Sequence, residues 1–378
     1  NFEQSAPLYR ELIRLQPEST RIAFYQSKVV DLVSRSAVGD KKPTINETKR
    51  LVELYQAVKA KSGSFSGDAA QKAKTDIEEA EVLAESTVRR LGQEWNREAK
   101  KVRSKPTYEA AKVMYSDYLS LFPASKFAYE MRFQLGDLYY KLEQFDDAAK
   151  AYEATVLADP KGKFLVEAPN DNILALEEHL KDLNLPKPKV ADDKPIEIHV
   201  QRKRLVDACD RYAKFVPEEK AEKLIAVMYK AAKTFYDHNQ LEEATKRFDE
   251  IVARNPAAEE AEYSANLIID THNLKQDWNR LYETSSRYLK NDVLIKDRPK
   301  LHEQLLSSGE YAKFKLVEIL DNDLKKQGAS LAPVAKAYEE FQAEFPKSKN
   351  ADKALYNASV AWDSVGERER AAGLRKKL

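Results

Sequence analysis

Residues 129–160, YEMRFQLGDLYYKLEQFDDAAKAYEATVLADP, contain the pattern that decides the fold. Ala148 and Tyr152 stand four positions apart, so in a helix they lie on one face, where the small residue lets a neighbouring helix approach and the ring fills the space beside it. Pro160 follows Tyr152 by eight residues, and proline cannot continue a helix. The stretch therefore predicts a closely packed helix that ends at the proline, with the next helix beginning after it.

The same spacing of an aromatic residue and a proline recurs along the chain. With 19 Tyr and 14 Phe among 378 residues, about one such pair is expected by chance. The observed pairs are Tyr9/Pro17, Tyr115/Pro123, Tyr152/Pro160, Phe248/Pro256 and Tyr338/Pro346. Ser19, Ser125 and Ser348 each stand two residues after such a proline, and we expect them to cap the helices that follow. The recurrence indicates an internal repeat.

The composition agrees with a helical array and excludes several other classes. Only 10 of the 378 residues are glycine and 33% are charged, against about 7% and about 25% in an average protein. Such a chain is poorly suited to glycine-cornered barrels or to glycine-rich nucleotide-binding loops. The formal net charge is +1, so no overall field attracts nucleic acid, and we predict no nucleic-acid partner. Cys209 is the single cysteine, which rules out an intrachain disulfide.

Residues 129–160 resemble the tetratricopeptide repeat, a helix–turn–helix unit of 34 residues. The resemblance implies an all-α fold, namely a right-handed superhelix of helix–turn–helix repeats. The matching positions are Leu135-Gly136, Tyr139, Ala148, Tyr152 and Pro160 in the fullest copy, Ala231-Ala232, Phe235, Ala244, Phe248 and Pro256 in a second, Ile269 and Tyr282 in a weaker third, and Ser359, Trp362 and Ala371 in a C-terminal copy.

One long helix is predicted over about residues 68–103. Its acidic residues cluster near its start and its basic residues near its end, an order that suits the helix dipole. Its apolar residues recur every three or four positions and form one stripe, which predicts packing either on the chain's own neighbouring helices or on a partner in a coiled coil. The stripe is Ala73, Ile77, Ala80, Ala84, Val88, Leu91, Trp95, Ala99 and Val102.

Two interruptions divide the chain. The first is the predicted loop SGSFSG after residue 61, and the second is residues 182–198, which contain three prolines and little periodicity. We predict N-terminal helical hairpins at 1–62, the long helix and repeats at 68–181, a linker or covering segment at 182–198, and a C-terminal repeat array at 199–378. A partner-binding role for residues 182–198 is a further alternative.

No catalytic or metal-binding motif is recognisable in the sequence. No glycines have the spacing of a phosphate-binding loop, and none of the five histidines pairs with another at the spacing of a helical metal site. Neighbouring carboxylates are common on the polar faces of helices in a chain with 62 acidic residues, so they carry little catalytic signal. We predict a non-enzymatic protein with no catalytic residue, cofactor or metal.

The resemblance also implies where a partner binds. In tetratricopeptide repeats the first helix of each unit lines a concave groove, with its fifth, ninth and twelfth positions pointing inward. Aromatic rings there bury peptide side chains; the alternative is that they pack between adjacent helices. No Asn occupies a ninth position, so we do not expect the Lys/Asn clamp by which members of the family hold C-terminal carboxylates. The predicted groove residues are Phe133, Tyr140, Tyr229, Lys233, Tyr236, Tyr263 and Tyr356.

Two shorter resemblances indicate a cellular setting. The Pro-x-Ser-x-x-Ala openings at 123–128 and 346–351 resemble repeat variants of bacterial envelope proteins, and residues 229–274 resemble deltaproteobacterial gliding-motility repeat proteins. They imply an interaction scaffold that binds a protein or peptide partner in an envelope complex for motility, secretion or outer-membrane assembly, in the periplasm or at the outer membrane. The alternatives are the non-catalytic helical region of an envelope enzyme and a cytoplasmic repeat-based regulator.

The sequence predicts no transmembrane segment in this stretch, because it has no run of about 18 apolar residues. It begins at Asn1 inside a helical pattern and without Met. We therefore expect further chain upstream, where a signal peptide or a lipid anchor could lie.

Overall fold

A computed structural model describes residues 2–36, 39–64, 66–188 and 194–378. Within these ranges the chain forms eighteen α-helices and no β-strand, which confirms the predicted all-α helical-repeat fold, while the hand of the superhelix stays a prediction. The helices are α1 (Phe2–Leu15), α2 (Ile22–Ser36), α3 (Lys42–Ala60), α4 (Gly67–Val102), α5 (Lys105–Leu121), α6 (Ala128–Lys141), α7 (Phe145–Ala158), α8 (Glu167–Leu183), α9 (Val200–Phe215), α10 (Leu224–Asp237), α11 (Leu241–Arg254), α12 (Glu259–Leu274), α13 (Trp278–Leu289), α14 (Asp292–Ile295), α15 (Pro299–Gln327), α16 (Ala332–Glu344), α17 (Ala351–Ser364) and α18 (Arg368–Arg375).

The chain divides into two compact units. Unit 1 comprises Asn1–Leu185 with Lys214–Ala221, and unit 2 comprises Pro186–Ala213 with Glu222–Leu378. The four predicted domains stay a prediction. Part of the predicted segment 182–198, namely residues 189–193, lies outside the described residues.

In unit 1 the signature residues of the repeat pack one helix of a hairpin onto the other. A Cβ added to Gly136 on α6 would lie only 2.7 Å from two ring carbons of Tyr152 on α7, so only glycine permits this close approach. Gly92 on α4 faces the ring of Tyr115 on α5 in the same way. The long helix α4 is therefore the first helix of a hairpin.

The apolar stripe of α4 is buried within unit 1. Ala84, Val88 and Leu91 are at most 1% exposed, and α4 contacts α2, α3 and α5. Of the two alternatives for this stripe, packing on the chain's own helices is the one that the structure favours. Val102, the last residue of the predicted stripe, departs from it and is 58% exposed.

The aromatic residues of the repeated pattern lie on the second helices of four hairpins. These rings are at most 3% exposed, and burying one such side chain stabilises the fold by about 1.5–3 kcal/mol. Tyr9, the remaining aromatic residue, is only partly buried. The buried rings are Tyr115 on α5, Tyr152 on α7, Phe248 on α11 and Tyr338 on α16.

The serines after the prolines do not cap helices as predicted. The hydroxyl oxygens of Ser19, Ser125 and Ser348 each accept a hydrogen bond from the backbone N–H two residues further on. The next helix begins three residues after each serine, at Ile22, at Ala128 and at Ala351. The serines therefore stabilise the turn before the helix, because they stand too early to reach its first free N–H groups.

Unit 2 is built from the hairpins α10/α11, α12/α13, α15/α16 and α17/α18, with α14 between two of them. Residues 194–198 cover the turn between α10 and α11. The N–H of Ile196 donates to the carbonyl of His238 at 2.8 Å, the Gln240 amide donates to the carbonyl of Ile196 at 2.9 Å, and Ile198 is 2% exposed. These residues act as a covering segment within unit 2.

Candidate functional site

A cavity of about 300 Å³ lies in unit 1 on the side formed by first helices. The surface that α4, α6 and α8 form in unit 1 is its first-helix face, and the corresponding surface in unit 2 is formed by α10, α12, α15 and α17. The cavity is lined by Asn96 and Lys100 on α4, Tyr108 on α5, Asp137, Leu138, Tyr140 and Lys141 on α6, Tyr152 on α7, and Asp171 and Leu174 on α8.

Asp137 and Tyr152 form the polar part of the cavity. The Tyr152 hydroxyl donates to Oδ1 of Asp137 at 2.9 Å. Burial raises the pKa of Asp137, and the hydrogen bond from Tyr152 and the charges of Lys100 and Lys141 act in the opposite direction. Burial and the neighbouring carboxylate also raise the pKa of Tyr152, so its hydroxyl stays protonated and remains the donor to Asp137.

Asn96 presents an acceptor that the protein itself leaves unused. This residue is 4% exposed, and its Nδ2 donates to the hydroxyl of Tyr115 at 3.4 Å. Its Oδ1 has no hydrogen-bond partner among the described residues. Burial raises the pKa of Tyr115 to about 12, so that hydroxyl stays protonated. An unpaired buried amide oxygen costs about 1–3 kcal/mol, which a ligand that donates a hydrogen bond recovers.

A second cavity of about 580 Å³ adjoins the first and shares Lys100, Tyr108 and Lys141 with it. Arg103 and Lys105 complete its cationic lining, against the single carboxylate of Glu143. None of these four cations forms an ion pair with any residue that the structure describes. The mouth of the site is therefore positively charged.

The structure separates the two groove residues that were predicted in unit 1. Tyr140 lines the cavity. Phe133 instead stacks on Phe164, with ring centroids 4.0 Å apart and planes 11° apart, and lies 5.6 Å from the ring of Tyr152. Its contacts are those of a ring that packs between elements of unit 1.

Four of the predicted groove residues lie near one another in unit 2. The rings of Tyr229 and Tyr236 lie 5.6 Å and 6.1 Å from that of Phe248, and Tyr263 lies 6.3 Å from Tyr229. The ammonium group of Lys233 lies 5.5 Å from the centre of the Tyr236 ring. Tyr263 is 45% exposed, whereas Tyr229 and Tyr236 are partly buried.

Tyr356 belongs to a different part of the first-helix face of unit 2. It lies on α17, in a hairpin that shares its core with α16, and it is 56% exposed. The assignment of all seven residues to one groove stays a prediction.

The sequence interpretation did not select Asn96, Lys100, Asp137, Tyr152 or Asp171 as site residues. One signal was available: Asp171 follows Asp137 by 34 residues, which is one repeat period. A second was the spacing of Asn96 and Lys100, which places both on one side of α4. Neither spacing reveals that the intervening hairpins bring these residues to a common cavity.

The described part of the chain contains no group of three or more His, Cys, Asp or Glu side chains that could hold a metal ion. None of its helices is both long enough and apolar enough to span a membrane.

The fold and this site define an all-α helical-repeat protein with a polar cavity and a cationic mouth on its first-helix face. Residues 133–165 match the tetratricopeptide repeat family. The resemblance is thereby confirmed for this segment, while the bacterial-envelope and gliding-motility subtypes stay predictions. A comparison with curated protein sequences finds no match.

Several solved structures are similar to this chain. A tetratricopeptide repeat protein from Parabacteroides merdae is 13% identical with a TM-score of 0.32, over 76% of this chain and 92% of that one. Yeast Tom70 is 16% identical with a TM-score of 0.28, over 86% of this chain and 61% of that one. The tetratricopeptide repeat domain of P58(IPK) is 13% identical with a TM-score of 0.26, over 97% of this chain and 95% of that one.

Proposed function

We propose that this chain is a non-enzymatic scaffold that binds an extended segment of a partner protein on its first-helix faces. The observation that carries the proposal is the cavity of unit 1, where Asn96 presents a buried, unpartnered amide oxygen. A peptide backbone supplies the N–H donors that such an acceptor needs. A packed helical array holds these groups in place before the partner arrives, so binding costs little conformational entropy.

The first-helix face of unit 2 supports the same role. Tyr263 and Tyr356 expose aromatic rings there, and tyrosine contributes a large apolar contact area together with a polar hydroxyl. In this proposal, Tyr229 positions the exposed ring of Tyr263, because the two ring centroids lie 6.3 Å apart.

We further propose that the scaffold belongs to a bacterial envelope complex for motility, secretion or outer-membrane assembly, in the periplasm or at the outer membrane. The support is the resemblance of the Pro-x-Ser-x-x-Ala openings at 123–128 and 346–351 to envelope repeat proteins. Fractionation of the producing cells tests this setting. Recovery from the cytoplasm alone would instead favour the cytoplasmic regulator.

Site-specific photo-crosslinking in the producing cells tests the binding role. A photoreactive amino acid replaces Tyr140 in unit 1 or Tyr263 in unit 2, and Leu157 serves as the control because it is 59% exposed on the second helix α7. We expect the two first-helix positions to yield a discrete crosslinked protein and Leu157 to yield none. Crosslinks from Leu157 alone would overturn the proposal.

A further inference from the structure

We infer that the two adjoining cavities of unit 1 bind an acidic segment of the partner, through its Asp and Glu side chains. The inference rests on the proposed function and adds the chemistry of the bound segment. It concerns side-chain carboxylates within a chain and requires no free C-terminus.

The basic residues at the end of α4 differ from those in its middle. Arg89 forms an ion pair with Glu85 at 3.3 Å, and Arg90 forms one with Asp31 at 2.7 Å. The helix dipole favours basic residues near the C-terminal end of α4. This effect does not require an ion pair, so their side chains can still bind an anionic group outside the helix. The end of the helix instead contributes unpaired cations to the cavities.

Four basic side chains line these cavities. None of them forms an ion pair with any residue in the described part of unit 1, so a carboxylate entering from outside meets cations that are not held in an ion pair. The residues are Lys100, Arg103, Lys105 and Lys141.

The interior of the site favours a polypeptide over a free anion. Asn96 offers a carbonyl oxygen and Asp137 a carboxylate, and both groups accept hydrogen bonds. An inorganic phosphate ion offers few hydrogen-bond donors to these acceptors, and its negative charge is repelled by the carboxylate of Asp137. A peptide donates backbone N–H groups to the interior while its acidic side chains reach the cationic mouth around the Tyr108 ring.

A selection from a library of random 12-residue peptides tests the inference. Each peptide is displayed within a loop of a carrier protein, so that no selected peptide ends in a free carboxylate. The bait is the purified full chain. We expect the recovered peptides to be enriched in Asp and Glu over the unselected library. Synthetic versions of them, acetylated and amidated, should bind less tightly as NaCl rises from about 0.05 M to about 0.5 M.

Two charge reversals on adjacent residues locate the binding. Lys100→Glu reverses a cation that lines both cavities, and Lys101→Glu makes the same change on an exposed neighbour outside them. We expect Lys100→Glu to weaken binding of the acidic peptides by about tenfold or more and Lys101→Glu by less than about twofold. Circular dichroism checks that both variants keep their helices, and the milder Lys141→Gln replaces Lys100→Glu if that variant unfolds.

The possible outcomes distinguish a failure of the acidic-segment inference from a failure of the proposed binding function. If the selected peptides are neutral or basic and bind the Lys100→Glu variant more weakly than the wild-type chain, the inference that the segment is acidic is overturned. The proposed binding role is then left intact. Acidic peptides that bind equally well to Lys100→Glu and Lys101→Glu would also overturn it. Failure of the wild-type chain to retain any peptide would contradict the proposed function as well.

Discussion

Replacement of Gly136 by Ala adds a methyl group where α6 meets the ring of Tyr152. The new Cβ would lie 2.7 Å from Cδ1 and from Cε1 of that ring, about 1 Å inside an ordinary carbon–carbon contact. The ring has little freedom to retreat, because its hydroxyl donates to Asp137 at 2.9 Å and Phe133 lies against it. The substitution therefore overpacks the hairpin at the floor of the cavity.

Two effects of opposite sign determine the size of the loss. Overpacking a well-packed site costs about 1–3 kcal/mol, while Ala in a helix interior is about 1 kcal/mol better than Gly. Because the clash is severe and the ring is held on two sides, we take the upper part of the overpacking cost, about 2–3 kcal/mol. The free energy of unfolding of Gly136→Ala should therefore fall by about 1–2 kcal/mol, which lowers the melting temperature of a unit of this size by about 2–8 °C.

Urea unfolding followed by far-ultraviolet circular dichroism measures this loss against two matched controls. At Gly92 the nearest ring carbon is 3.1 Å from the added Cβ, so Gly92→Ala should cost less. At Gly373 nothing lies within 4 Å, so Gly373→Ala should leave stability unchanged or raise it by up to about 1 kcal/mol. The packing argument is refuted if Gly136→Ala is as stable as the parent.

Three further predictions concern other parts of the chain. Burial raises the pKa of Asp137 above its ordinary 3.8, so the parent loses stability as the pH rises through that raised value. Asp137→Asn should remove this loss in urea titrations that start at about pH 4 and proceed to higher pH. Tyr263→Ala should weaken partner capture without changing the unfolding midpoint, whereas Tyr229→Ala should also lower stability because its ring packs on Phe248. Arg298→Lys should cost about 1–3 kcal/mol in the same assay, because an ammonium group cannot reach the carbonyls of residues 256–258 that the guanidinium binds together.

The fold was readable from the sequence because its decisive contacts are local. Gly136 and Tyr152 meet across one turn, and the pair belongs to a spacing that recurs along the chain. A helical hairpin of this kind follows from short-range patterns of small, aromatic and proline residues. The long helix was also predicted closely, at about 68–103 against the observed Gly67–Val102.

The site was less readable because it combines helices that are distant in sequence. Three first helices contribute Asn96, Asp137 and Asp171 to the cavity. The periodicity of the sequence places each residue on a face of its own helix, but it does not predict the cavity that forms between the helices. Of the two residues that repeat positions predict for the groove in unit 1, Tyr140 lines the cavity, whereas Phe133 stacks on Phe164 in the segment before α8. A contact supplied by a connecting segment leaves no periodic signal.

Binding of a partner segment to the first-helix face of unit 1 is tested most directly by amide hydrogen exchange of the chain, measured with and without that segment. The segment is the one that photo-crosslinking identifies, and it is added as a free synthetic peptide. If the segment binds on the first-helix face of unit 1, exchange slows within residues 96–105 and 137–143, the two stretches that contain most of the residues lining the cavities. Residues 153–158 of α7, which line neither cavity, keep their free-state rates. Slower exchange confined to residues 153–158, or no change at either cavity stretch, would contradict the account.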